Sequence, residues 1–137
     1  MLMMMMMMMM SMVSMVLITQ VVRIARTMIS LHESYADRII SLAEESTRTG
    51  APIIRPIWWN AEPGDQPSLT VGDQFLLGDD VLVAPVLEKG ATGRDIYLPA
   101  GLWRDELRNG AVLEGGRWYR AYRVALDELP RFTRVTS

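Results

Sequence analysis

The sequence predicts an α+β chain: a long amphipathic helix and one apolar strand, followed by a small antiparallel β-sandwich. Three observations lead there. Apolar residues recur at spacings of three and four over residues 21–49. A short apolar run with two prolines, "PIIRPIWW", follows directly. Beyond it, strand-like runs recur every ~8–12 residues between Gly and Pro turns.

In the first element, Ile24, Met28, Leu31, Tyr35, Ile39, Leu42 and Ala43 define one helical face, with Glu33, Asp37, Arg38, Glu44 and Glu45 mostly off it. Gly50 and Pro52 end the helix: glycine suits the left-handed cap, and proline cannot continue the ladder. A single helix over 21–49 is expected. "PIIRPIWW" then reads as a strand, entered through a tight Gly turn as in a parallel αβ unit. On a strand Trp58 and Trp59 point to opposite faces, so one layer of protein cannot bury both. "NAEPGDQPSLTVG" is a polar loop, and "VLVAPV" is the next strand. "GRDIYLPAGLWRDE" has strand alternation on both sides of a Pro-Ala-Gly turn, and "GAVLEGGRWYRAYRV" repeats this around Gly-Gly. "LPRFTRV" is a last short strand.

Composition narrows the chemistry. Half of the 137 residues are hydrophobic, enough for a packed core of one ordinary domain. A formal net charge of -2 gives no basic surface for nucleic acid. With no cysteine there is neither a disulfide nor a thiolate metal site, and one histidine, His32, cannot make a multi-histidine site. Of 12 methionines, all but Met28 lie in "MLMMMMMMMMSMVSM". Residues 1–18 are uncharged and near the lower length limit for a membrane span, with Arg23 and Arg26 following. The alternative is an unselected low-complexity leader over residues 1–20.

A helix and one buried strand do not make a domain, because such a strand needs neighbours on both sides and a second layer. The double tryptophan suits a strand of a (β/α)8 barrel wall, with an aromatic ring at the barrel mouth where ligands bind. The chain therefore reads as one αβ unit up to about Gly78 and then a small β-domain.

"GAPIIRPIWWNAEPGD", "DQFLLGDDVLVAPVLEKGATGRDIYLPAGLWRD" and "GGRWY" together resemble glycoside hydrolase family 31. The helix "LHESYADRIISLAEESTRTG" and the doubled Trp resemble its myogenesis-regulating glycosidase branch. The resemblance implies a catalytic barrel, of which residues 21–78 are the last helix and strand, then a proximal C-terminal β-domain over residues 79–137, and hydrolysis of α-glycosides with retention of configuration. It implies a carbohydrate partner, no metal or organic cofactor, and a membrane-associated setting in the secretory pathway. Retention needs two carboxyl groups about 5–5.5 Å apart. In the family both are aspartates on earlier barrel loops, and no residue of this chain matches either one. The expected catalytic set here is therefore empty.

Each tempting residue has a plainer role beside it. Asp65, Asp79 and Asp80 sit in Gly turns, where aspartate caps backbone amides. Asp73 and Asp95 match family positions outside the catalytic set. His32 reads as a structural or solvent-facing helix residue. Arg55, amid isoleucine and proline, must be paired if buried. Trp103 and Trp118 read as β-domain core, with a solvated face of charges around Trp103. Trp58 and Trp59, with Arg55 beside them, are the residues placed nearest substrate, although core packing for the rings and ion pairing for Arg55 are the favoured roles.

Two functional classes follow. One is the C-terminal part of a retaining O-glycosyl hydrolase, inactive as this isolated chain. The other is a non-catalytic β-domain serving as a binding or interaction module, membrane-anchored through its apolar N-terminal run.

Overall fold

A computed structural model describes residues 1–136. The chain divides into two compact units, Met1–Ile40 and Ser41–Ser137. Helix α1 spans Leu2–Ser34 and α2 spans Ala36–Thr49. The helical region thus starts at Leu2 rather than at residue 21: methionine is a good helix former, and no Gly or Pro interrupts 1–34. It is also two helices rather than one. The Ser34 hydroxyl donates to the Leu31 carbonyl (2.6 Å), the acceptor that the Tyr35 amide would use in a continuous helix. That amide bonds His32 O instead (3.0 Å) and ends the ladder. Gly50, at φ 76°, closes α2, its amide reaching Ser46 O.

Among the described residues eight strands follow: β1 Ile54–Pro56, β2 Phe75–Leu77, β3 Val81–Val83, β4 Gly93–Leu98, β5 Leu102–Asp105, β6 Ala111–Glu114, β7 Arg117–Arg123 and β8 Arg131–Arg134. A short helix α3, Gln66–Thr70, lies between β1 and β2. Six strands form one sheet in the order β1-β2-β3-β8-β5-β6, while β4 and β7 pair separately. All the pairings are antiparallel.

Two sequence expectations are corrected here. The strand in "PIIRPIWW" is only three residues long and pairs antiparallel with β2, with Arg55 opposite Leu76. It is an edge strand, where Pro56 removes no ladder bond that matters. The chain then turns into a 3-10 helix, Ile57–Asn60, so Trp58 and Trp59 do not alternate across a sheet. The second correction concerns the two Gly-containing turns: the strands flanking each turn are not hairpin partners but lie in different sheets. Pro99–Gly101 carries the chain from β4 to β5, and Gly115–Gly116 carries it from β6 to β7. The corners lock together: the Gly115 amide donates to Gly101 O and the Gly116 amide to Leu98 O, both at 2.7 Å. A Cβ on Gly115 would lie 1.9 Å from the Pro99 carbonyl oxygen, so only glycine fits.

The core lies between the two sheets. Leu76, Leu82, Trp103 and Phe132 come from the larger sheet, and Ile96, Tyr97 and Leu98 from β4. Full burial of such a side chain stabilises by ~1.5–3 kcal/mol. Gln74, also buried, stitches the layers: its amide nitrogen donates to Tyr97 O (2.7 Å) and its oxygen accepts from the Tyr97 amide (2.9 Å).

Candidate functional site

The end of β1 gathers the residues that the sequence singled out. Arg55 is 2% exposed and its guanidinium meets acceptors on three sides. Nε donates to Pro52 O (2.8 Å), Nη2 to Glu45 Oε1 of α2 (3.1 Å), and Nη1 to Asp79 Oδ1. Burial disfavours the charge, but the bonds to Asp79 and Glu45 outweigh it and hold the guanidinium pKa above its ordinary value. Asp79 is delivered by the turn after β2. There Gly78, at φ 63°, donates its amide to Ile53 O (2.9 Å), and a Cβ would lie 2.8 Å from the Leu42 side chain.

The same Asp79 oxygen accepts from Asn60 Nδ2, at the end of the 3-10 turn. Asp79 therefore clamps the turn to Arg55. The two indoles are carried on that turn, 46% and 39% exposed for Trp58 and Trp59, with ring centres 6.1 Å apart and planes inclined at 36°. The Arg55 guanidinium carbon is 5.9 Å from the Trp59 ring centre, within cation–π range. The result is a rigid ledge presenting two adjacent aromatic surfaces. Its carboxylates, Asp79 and Glu45, share one buried cation.

The other aspartates are engaged elsewhere. Asp65 caps α3, accepting from the Ser68 amide (3.4 Å) and hydroxyl (2.7 Å). The Tyr97 hydroxyl also donates to Asp65 (2.6 Å); burial and this carboxylate push the Tyr97 pKa up to about 12. Asp73 pairs with Arg94 at 2.8 Å. Asp95 accepts from the Ala121 amide (2.8 Å) and Arg120 (2.7 Å), which hold its carboxyl below the usual range. The Asp80 carbonyl accepts from the Arg134 amide (2.7 Å). His32 is exposed in the last turn of α1.

Trp103 is fully buried, its indole N–H donating to Pro99 O (2.8 Å), and Trp118 packs on the core beside Tyr97. The charges around Trp103 are not all solvated, however. Asp105 is 1% exposed and accepts the Tyr122 hydroxyl on both carboxylate oxygens (2.9 and 2.8 Å) and the Leu107 amide (2.9 Å). Burial, and then Asp105, raise the Tyr122 pKa. The signal was present in the spacing: Asp105 is two residues from Trp103 on the same strand, and so shares its face. Among the described residues no three His, Cys, Asp or Glu side chains converge to hold a metal ion.

Residues 50–137 match the model of the glycosyl hydrolase family 31 C-terminal domain. The chain belongs to glycoside hydrolase family 31. It is 42% identical over 117 residues to the SITS-binding protein of Tetronarce californica, covering 83% of this chain and 16% of that one. It is 48% identical over 112 residues to the myogenesis-regulating glycosidase of Mus musculus, covering 80% and 15%. The myogenesis-regulating glycosidase branch therefore fits. Among solved structures, it is similar to the cycloalternan-degrading enzyme from Trueperella pyogenes in complex with isomaltose. The TM-score is 0.71 at 30% identity, covering 79% of this chain and 15% of the other. The chain thus spans only about a sixth of the length of these family 31 proteins, and its fold is the end of a barrel followed by a β-domain.

Proposed function

We propose that this chain is the C-terminal part of a retaining α-glycosidase, in which Trp58 and Trp59 lie beside the bound sugar and Arg55 positions them. The observation carrying this reading is the ledge itself. Two half-exposed indoles follow an edge strand, on a turn braced by Arg55, Asp79 and Asn60. Aromatic faces stack on the apolar C–H faces of sugar rings. The donors of Arg55 are taken up by Pro52, Glu45 and Asp79, so it is a positioning residue rather than a sugar ligand. In this reading residues 1–20 are a leader, 21–78 close the barrel, and 79–137 form the proximal β-domain, joined where β2 and β3 pair across Gly78.

The reaction's two carboxyl groups belong to another part of the protein. The carboxylates nearest the ledge, Asp79 and Glu45, grip Arg55 instead of flanking an open site as nucleophile and acid. The isolated chain is therefore inactive. Incubation with aryl α-glucosides and α-galactosides tests this: release of aryl alcohol equal to a denatured control is expected, and clear turnover refutes the assignment.

A second reading rests on α1. This helix contains a window of mean hydropathy 2.1 and has no buried residue, so by length and composition it is able to cross a membrane. The β-domain would then be a non-catalytic binding module tethered to a bilayer. Retention of the expressed chain in carbonate-washed membranes supports that role, and complete release removes it.

A further inference from the structure

A cleft of 600 Å³, between the segment that joins α3 to β2 and the β4–β7 pair, is used by neither reading. Its wall is Trp118 of β7, half-buried, with the Tyr97 ring centre 5.4 Å from its own. The Arg120 guanidinium carbon lies 4.5 Å from the Trp118 ring centre, on a side chain that is 65% exposed. Asp95 holds Arg120 from below and Asp73 holds Arg94. Glu88 completes the polar lining.

The backbone here departs from regular pairing. The β4–β7 register shifts between Arg94 and Ile96, and Ala121 adopts φ 50°, a left-handed conformation rare for a residue with a Cβ. Asp95 holds that conformation through the Ala121 amide. The irregularity falls between Trp118 and Arg123 of β7, and bulges of this kind re-aim side chains beside binding sites.

We propose that this cleft is a saccharide-binding site, separate from the Trp58–Trp59 ledge. Its chemistry selects a neutral polyol. The lining sets Arg94 and Arg120 against Asp73, Asp95 and Glu88, an excess of one negative charge that gives no attraction for an anion. Carboxylate oxygens accept sugar hydroxyls and the indole meets a C–H face, while Arg94, bonded to Asp73, Asp95 and Pro85, fixes the wall. Arg120 is the movable part: it lies over Trp118 and swings aside for a sugar ring. The α-linkage of the ligand rests on the glycosidase reading above; the site itself does not.

The test is titration of the full chain with isomaltose and with maltotriose, followed by the indole N–H resonances of its four tryptophans. Saturable movement of the Trp118 resonance is expected with at least one of the sugars. Trp118→Ala should weaken binding by about tenfold or more. Arg120→Ala, which uncovers the indole, should preserve or tighten binding, and so tests the site even if Trp118→Ala fails to fold. Trp58→Ala and Trp59→Ala should leave it unchanged. No saturable movement at Trp118 with either sugar overturns the proposal. Movement confined to Trp58 and Trp59 also overturns it while leaving the ledge reading intact.

Discussion

Replacing Arg55 by methionine keeps the buried stem of the side chain and removes the guanidinium. Pro52 O and Glu45 then lose the Arg55 donor, and Asp79 keeps only that of Asn60. A fully dry ion pair stripped of one member loses ~3–5 kcal/mol. That figure must be discounted here, because the Asp79 and Glu45 side chains are 53% and 36% exposed and regain water when released. The orphaned Pro52 carbonyl adds ~1 kcal/mol. The expected loss is therefore about 2–3 kcal/mol, or roughly 10–20 °C in melting temperature for a unit of this size. Urea unfolding followed by tryptophan emission measures it, and Trp59 should also shift on losing its neighbouring cation. In a double-mutant cycle with Asp79→Asn, the coupling should reach ~1 kcal/mol. An Arg55→Met protein within ~0.5 kcal/mol of wild type refutes the clamp, since that is the scatter of ordinary surface changes.

Three further expectations are narrower. Gly115→Ala drives a methyl group into the Pro99 carbonyl and should destabilise by ~3 kcal/mol or prevent folding. Gly116→Ala, with open space around it but φ 74°, should lose only ~1–2 kcal/mol, so equal effects in chemical denaturation would contradict the interlocked corners. Tyr97 titrates near 10 when unfolded and near 12 when folded. Its neutral form is favoured in the fold, so stability should be intact below pH 10 and fall as the pH rises from 10 to 12. Tyr97→Phe should flatten that decline in denaturation curves. Asp95 behaves oppositely: its folded pKa lies below 3.8, so its contribution is present above that pH and is lost as the pH falls through the folded value. The Ala121 amide resonance should report a midpoint under 3.8; one at or above it removes the claim that Asp95 holds this amide.

Local pattern made much of this architecture legible. The strands around "VLVAPV" and "RFTR", the Gly50 cap, the buried Trp103 and the pairing of Arg55 all follow from residue type and spacing. What escaped is decided at a distance. Whether strands beside a turn pair with one another depends on a second turn docking against the first, as Gly115 does on Pro99. Nothing in either turn alone encodes that contact. The break at Tyr35 arises from one serine hydroxyl competing for a carbonyl, in a stretch whose apolar period continues undisturbed. At the ledge, Pro56 redirected the chain after only three strand residues. Arg55 found its counter-ions in α2 and in the turn after β2, rather than in a neighbouring barrel strand. Asp105 was hidden by its charged neighbours Arg104 and Glu106, although its parity with Trp103 placed it inside.

Strand β8 lies in the middle of the six-stranded sheet, between β3 and β5, yet it is the last of the eight to be synthesised. Until it emerges from the ribosome, the β1–β3 ribbon and the β5–β6 ribbon have open edges, and Trp103 and Leu82 wait for Phe132. The nascent polypeptide thus passes through an interval in which these two ribbons are complete but unjoined. Cells making this protein would need to shield that half-built intermediate, and a premature stop codon before residue 131 would leave it permanently unzipped.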